Sequence, residues 1–110
     1  MQAMQTFNPQ SAPLTFTGAT TAPTSVHPLV ASGVQSTQFR ISNESATISC
    51  LVGWGASDTI AKANAAGLNA SCAVVVPFGV ADVMAPVGSF FSGITPSSTA
   101  IIYVQAGLIS

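Results

Sequence analysis

The side chains able to do chemistry in this 110-residue chain are few and scattered. Cys50 and Cys72 invite a disulfide or a metal. If the strands flanking residues 55–70 pair, residue 61 is the midpoint and the two sulfurs face each other across the hairpin, a geometry that permits a bridge. The competing reading, which we prefer, makes both of them small buried apolar side chains kept reduced in a cytoplasm. Two cysteines are too few for zinc, and His27 lies apart in a proline-rich stretch. An imidazole suits a general base or a pH sensor, but no Ser-His-Asp or Cys-His pattern accompanies His27. Asp58 and Asp82 could pair as catalytic carboxylates. Asp82, alone among small apolar residues, reads better as a solvent-facing guard against edge pairing, and Asp58 as the charge at a helix start. Trp54, between Gly53 and Gly55, offers a ring for a sugar, against which stands the commoner role of packing anchor at a strand end. Gly53-Trp54-Gly55-Ala56-Ser57 lacks the lysine of a phosphate loop. Arg40 is the one cation on a strand, and a pairing with Glu44 across the turn would be a surface contact of little worth. The sequence assigns no catalytic residue, no cofactor and no metal ligand, and an enzyme is the class it favours least.

Composition narrows the classes further. Apolar residues make up 48% of the chain and charged residues 5%, namely Arg40, Glu44, Asp58, Lys62 and Asp82, against about 25% charged in an ordinary domain. A surface of Ser, Thr, Gln, Asn and Ala with a net charge of −1 gives copies little reason to repel one another, and association is expected. Two basic residues cannot neutralise a run of phosphates or form a basic membrane-binding patch, so neither nucleic acid nor membrane is an expected partner. The first nine residues have neither the positive nor the apolar region of a secretory signal. The uncharged span from Ala63 to Ala81 contains Asn64, Gly67, Asn69, Pro77 and Gly79, which would break a spanning helix. Synthesis and retention in the cytoplasm until assembly is the simplest expectation.

These side chains must be positioned mainly by strands. Residues 1–36, with Pro9, Pro13, Pro23 and Pro28 among Ser, Thr and Gln, read as an extended arm carrying at most one or two edge strands. Phe7, Leu14, Phe16, Val26 and Leu29 are its apolar points, suited to lie against the chain's own domain or a neighbour, and are the candidate inter-subunit contacts. Residues 37–110 read as a β-sandwich domain of the jelly-roll or immunoglobulin-like kind, with a closed small barrel as the alternative. Thr37–Ser42 and Ala46–Trp54 alternate apolar and polar residues, which predicts a hairpin around Asn43-Glu44-Ser45. Ser57, Asp58, Lys62 and Gly67 suit a short helix over 57–66, with an Ala-rich loop as the alternative. Ser71–Val76, Val80–Ala85, Ser89–Ile94 and Thr99–Ala106, punctuated by Pro, Gly and Ser, predict a β-meander. The expected core is Phe39, Ile41, Ile48, Val52, Trp54, Val74, Val76, Phe90, Ile102 and Val104.

Several segments together resemble small structural proteins of tailed-bacteriophage virions, in particular capsid decoration or cement proteins. They are Phe7-Asn8-Pro9, Thr21-Ala22-Pro23-Thr24, Gln38-Phe39-Arg40-Ile41-Ser42-Asn43, Val52-Gly53-Trp54-Gly55, Val75-Val76-Pro77, Pro86-Val87-Gly88, and Ala100 through Gly107. The resemblance spans nearly the whole chain through degenerate motifs. The 55–70 insertion and the very low charge depart from the pattern. It implies a non-enzymatic β-sandwich, present in many copies and often trimeric, that binds the major capsid protein on the outside of the shell. It also implies residence in the virion after synthesis in the host cytoplasm. The alternatives are a head-completion, tail or fibre-base component, and a glycan- or host-surface-binding module centred on Trp54.

Overall fold

From Ala100 to Ala106 burial alternates strictly, with Ala100, Ile102, Val104 and Ala106 inward and Ile101 and Tyr103 outward. This is the pattern of a strand with one face on a core and one on solvent. In the computed structural model, which describes residues 7–9, 11–28, 38–67 and 71–109, that strand is central. Eight strands and one helix follow in the order β1 (Phe7–Pro9), β2 (Leu14–Gly18), β3 (Gln38–Asn43), β4 (Cys50–Gly55), α1 (Asp58–Ala66), β5 (Cys72–Val75), β6 (Val80–Met84), β7 (Phe90–Ile94) and β8 (Ala100–Ile109). The fold is all-β apart from that short helix.

The strands form two antiparallel sheets. In the larger, β8 pairs with β3 on one side and with β1 and β2 in succession on the other, and β3 pairs with β6. In the smaller, β4 lies between β5 and β7. Their inward side chains meet. The Phe39 ring of β3 and the Phe91 ring of β7 have centroids 4.8 Å apart, and Trp54 of β4 lies 6.0 Å from Phe91. Where Phe16 of β2 and Cys50 of β4 press against β7, only a hydrogen fits. A Cβ on Gly93 would come within 2.9 Å of the Phe16 ring and 2.6 Å of Cys50 Sγ.

Two expectations about connectivity are corrected. The 37–54 hairpin does not form, because β3 lies in the larger sheet and β4 in the smaller. The meander does not form either: β5, β6, β7 and β8 alternate between sheets, and none of these four pairs with the next. Alternation fixes which face of a strand is buried and leaves its partner open. Asn43 carries the first crossing. Buried at the end of β3, it donates through Nδ2 to Ile48 O at 2.8 Å and Val75 O at 3.0 Å, and accepts from Ser45 N–H at 2.9 Å. One amide thereby ties the loop and the opposite sheet to β3.

Among the described strands only β4 and β5 are consecutive in sequence and paired, and α1 lies in their connection. Ser57 caps it by accepting from Ile60 N–H, Asp58 lies in its first turn, and Gly67 closes it by donating to Asn64 O at 3.3 Å. The helix settles over β4 because Gly53 and Gly55 have no side chains. A Cβ on Gly53 would strike the Ala65 backbone, and one on Gly55 the Ile60 side chain. Asn64 Nδ2 donates to Trp54 O at 2.7 Å and fixes the seating.

Residues 19–28 lie within the fold. Thr95 N–H donates to Ala19 O, Ser92 Oγ donates to Pro23 O at 2.7 Å, and Val26 and Phe91 exchange backbone hydrogen bonds at 2.9 and 2.8 Å. This strap runs along the free side of β7. Ile48 and Phe90, expected in the core, are half-buried, and Val74 and Val76 are exposed.

Candidate functional site

The residues flagged for chemistry do not converge. Cys50 and Cys72 are free thiols. The register sets Cys50 opposite Val75 and Cys72 opposite Gly53, so Cys50 points into the core while Cys72 lies on the outer face, where its Sγ donates to Gly67 O at 3.3 Å. The hairpin centres later than residue 61, which puts the sulfurs on opposite faces. Burial pushes the Cys50 thiol up to about 11, so it resists forming the reactive thiolate. Among the described residues no group of three or more His, Cys, Asp or Glu side chains gathers to hold a metal ion. Nor is any described helix long and apolar enough to cross a membrane.

Asp58 serves the strap as well as the helix. Its Oδ1 accepts the Ser25 N–H at 2.7 Å and its Oδ2 lies 3.1 Å from Lys62 Nζ. The Ser25 N–H, followed by Lys62, holds the carboxyl down at about 2. Since the Ser25 hydroxyl is buried without a hydrogen-bond partner among the described residues, the backbone N–H is what binds Asp58. Asp82 pairs with Arg40, whose Nε and Nη2 reach its two oxygens at 2.8 and 2.9 Å. That contact lowers the Asp82 carboxyl and raises the guanidinium. Half-buried His27 stacks on Phe90 with ring centroids 4.0 Å apart. Trp54 is 7% exposed and faces the core, so it offers no platform to a sugar.

The candidate inter-subunit residues are dispersed. Phe16 is buried in the core, Val26 packs against that core, and Leu14 is half-buried opposite Val104. Phe7 contributes backbone pairing to Ile109, and Leu29 lies outside the described residues.

Exposed apolar side chains concentrate elsewhere. Val74, Val76, Phe78, Val80 and Met84 are 56–72% exposed. They follow one side of the molecule, from β5 through the 76–79 turn to β6. Among the described residues both strands pair on one side only, so this side carries the open edge of each sheet. Val74 also stands in a row with Leu51 and Ile94, beside an apolar cleft of about 280 Å³ that the helix leaves uncovered. At the corner, Phe78 adopts φ 53°, in the left-handed region, held by donation from its N–H to Ser45 O at 3.0 Å. That conformation is costly for a bulky residue, yet the ring it presents is 69% exposed. A second surface, open and of mixed polarity, lies on the outer face of the larger sheet around Tyr103.

No protein-family model, curated protein or solved structure matches this chain.

Proposed function

We propose that this chain is a non-enzymatic bacteriophage virion structural protein that binds the exterior of the capsid and reinforces the shell. The observation that carries the reading is the apolar band along β5, the 76–79 turn and β6. Large exposed apolar side chains there coincide with the edges of both sheets. Edge strands of a monomeric protein are ordinarily blunted by charge. Here β5 has none, and the one charge on β6, Asp82, is matched by Arg40. A surface of this kind gains from being covered, at about 25 cal/mol per Å² of apolar area, and its edges can add strand hydrogen bonds to a partner. Repetition over a symmetric shell converts modest single contacts into avidity.

The architecture we infer is a jelly-roll β-sandwich. Counting the strap at Val26 as a strand beside β7, the order β2-β8-β3-β6 opposed to Val26-β7-β4-β5 is that of an eight-stranded double Greek key. The sandwich is a scaffold used for many tasks, so the function rests on the band and on the sequence resemblance. The major capsid protein and further copies of this chain are the partners.

Quantitative mass spectrometry of purified particles tests this. A ratio to the major shell protein near one, or a simple fraction of it, is expected. A ratio far lower moves the chain to the neck or tail, and absence from particles ends the reading.

A further inference from the structure

On the outer face of the larger sheet an open depression of about 570 Å³ is lined by Pro13, Arg40, Ser42, Glu44, Tyr103 and Gln105. The β3–β8 register builds it, setting Ser42 opposite Tyr103 and Arg40 opposite Gln105 in adjacent rows of one face. Tyr103 is 39% exposed, and Pro13 adds a second apolar wall. Two of the polar groups are held by neighbours: Arg40 by Asp82 beside it on β6, and Gln105 by donation from its Nε2 to Ser11 O at 2.8 Å. The Tyr103 and Ser42 hydroxyls and the Glu44 carboxylate make no hydrogen bond with the described residues.

An aromatic face surrounded by fixed planar polar groups and unspent hydroxyls suits a ligand with apolar C–H faces and vicinal hydroxyls. Charge and lining select among such ligands. Asp82 cancels Arg40, and Glu44 leaves the site net negative, which disfavours an anion; Ser42, Tyr103 and Gln105 offer hydroxyl and amide partners that a polyhydroxylated ligand uses and a simple cation does not. We propose that this depression binds a neutral saccharide, one ring face on Tyr103 and adjacent hydroxyls donating to Glu44. The site borders the β6 end of the band, where Ser42 lies opposite Val80, but shares no lining residue with it, so sugar binding by the isolated chain and attachment to the shell can fail independently.

The test is nuclear magnetic resonance titration of the full-length, ¹⁵N-labelled chain with glucose, galactose, mannose and N-acetylglucosamine. N-acetylneuraminate and tetramethylammonium serve as anionic and cationic comparisons. We expect saturable shifts for at least one neutral sugar, confined to amides near Ser42, Glu44, Tyr103 and Gln105. Tyr103→Ala should weaken binding about tenfold, the loss of one stacking ring, while Tyr103→Phe retains most of it and Glu44→Gln weakens it. Tyr103 and Glu44 are exposed, so the variants should keep the native spectrum elsewhere. The proposal is overturned if no neutral sugar gives saturable shifts, if Tyr103→Ala binds as wild type does, or if only the anion or the cation perturbs these amides.

Discussion

Residues 14–28 hold five apolar side chains among fifteen and residues 74–84 hold eight among eleven, and the sparser stretch is the one that the fold covers. The first stretch, proline-rich and expected to reach toward neighbours, buries Phe16, packs Val26 against the core and ties its backbone to β7 and β8. The second, valine-rich and expected to supply core, turns Val74, Val76, Phe78, Val80 and Met84 toward solvent. Apolar content reports that a segment wants cover. Whether the cover comes from the chain itself depends on which strands lie beside it.

The sharpest way to break this contrast is to truncate one aromatic from each region. Phe16→Ala should cost about 3–5 kcal/mol in denaturant unfolding, because Gly93 offers nothing to fill the space. A loss below about 1 kcal/mol would put Phe16 back among surface residues. Next is the roof over β4. Gly53→Ala forces α1 off its seat and should cost about 1–3 kcal/mol, whereas Leu51→Ala, on the uncovered half of the same face, should cost less. Equal losses would mean that the helix does not discriminate between the halves. Phe78→Gly reverses the sign: relief of the φ 53° backbone should raise stability by about 1 kcal/mol, while removal of the ring weakens attachment to the shell. A variant both less stable and equally well attached would take Phe78 out of the contact surface.

The smallest effect is expected from acid, and it probes the strap. The Asp58 carboxyl is held at about 2 by the Ser25 N–H and Lys62, below an ordinary value of about 3.9. A lowered folded-state value means that its stabilisation is present above about pH 4 and disappears as the pH falls toward 2. The stability difference between wild type and Asp58→Asn should therefore be constant from neutral pH to about pH 4 and vanish by about pH 2. A difference unchanged across that window would mean that Asp58 does not hold the strap through its charge.

Several local features were legible in the sequence because their causes are local. The alternation of Phe39 and Ile41, and of Ile102 and Val104, marks the buried faces, and Ser57, Asp58 and Gly67 mark the helix. Partnership was not legible. Arg40 finds Asp82 in place of nearby Glu44, Asn43 is a buried bridge between sheets as well as a turn residue, and Cys50 lies opposite Val75, three residues from Cys72, which puts the two sulfurs on different faces. Each depends on which distant strand arrives alongside, and a period of two residues does not encode that. The Tyr103 depression stayed hidden for the same reason: Pro13, Arg40 and Tyr103 become neighbours only once β2, β8 and β3 align.

The central place of β8 bears on the timing of synthesis. It is the last described strand to leave the ribosome, yet β1, β2 and β3 all pair with it. Until it emerges, Phe16, Phe39 and Ile41 have no complete sheet behind them, and the larger sheet must wait for nearly the whole described chain. Contacts of such sequence separation make folding slow and leave sticky intermediates exposed. A nascent-chain experiment should therefore find no protease-resistant species before β8 clears the exit tunnel.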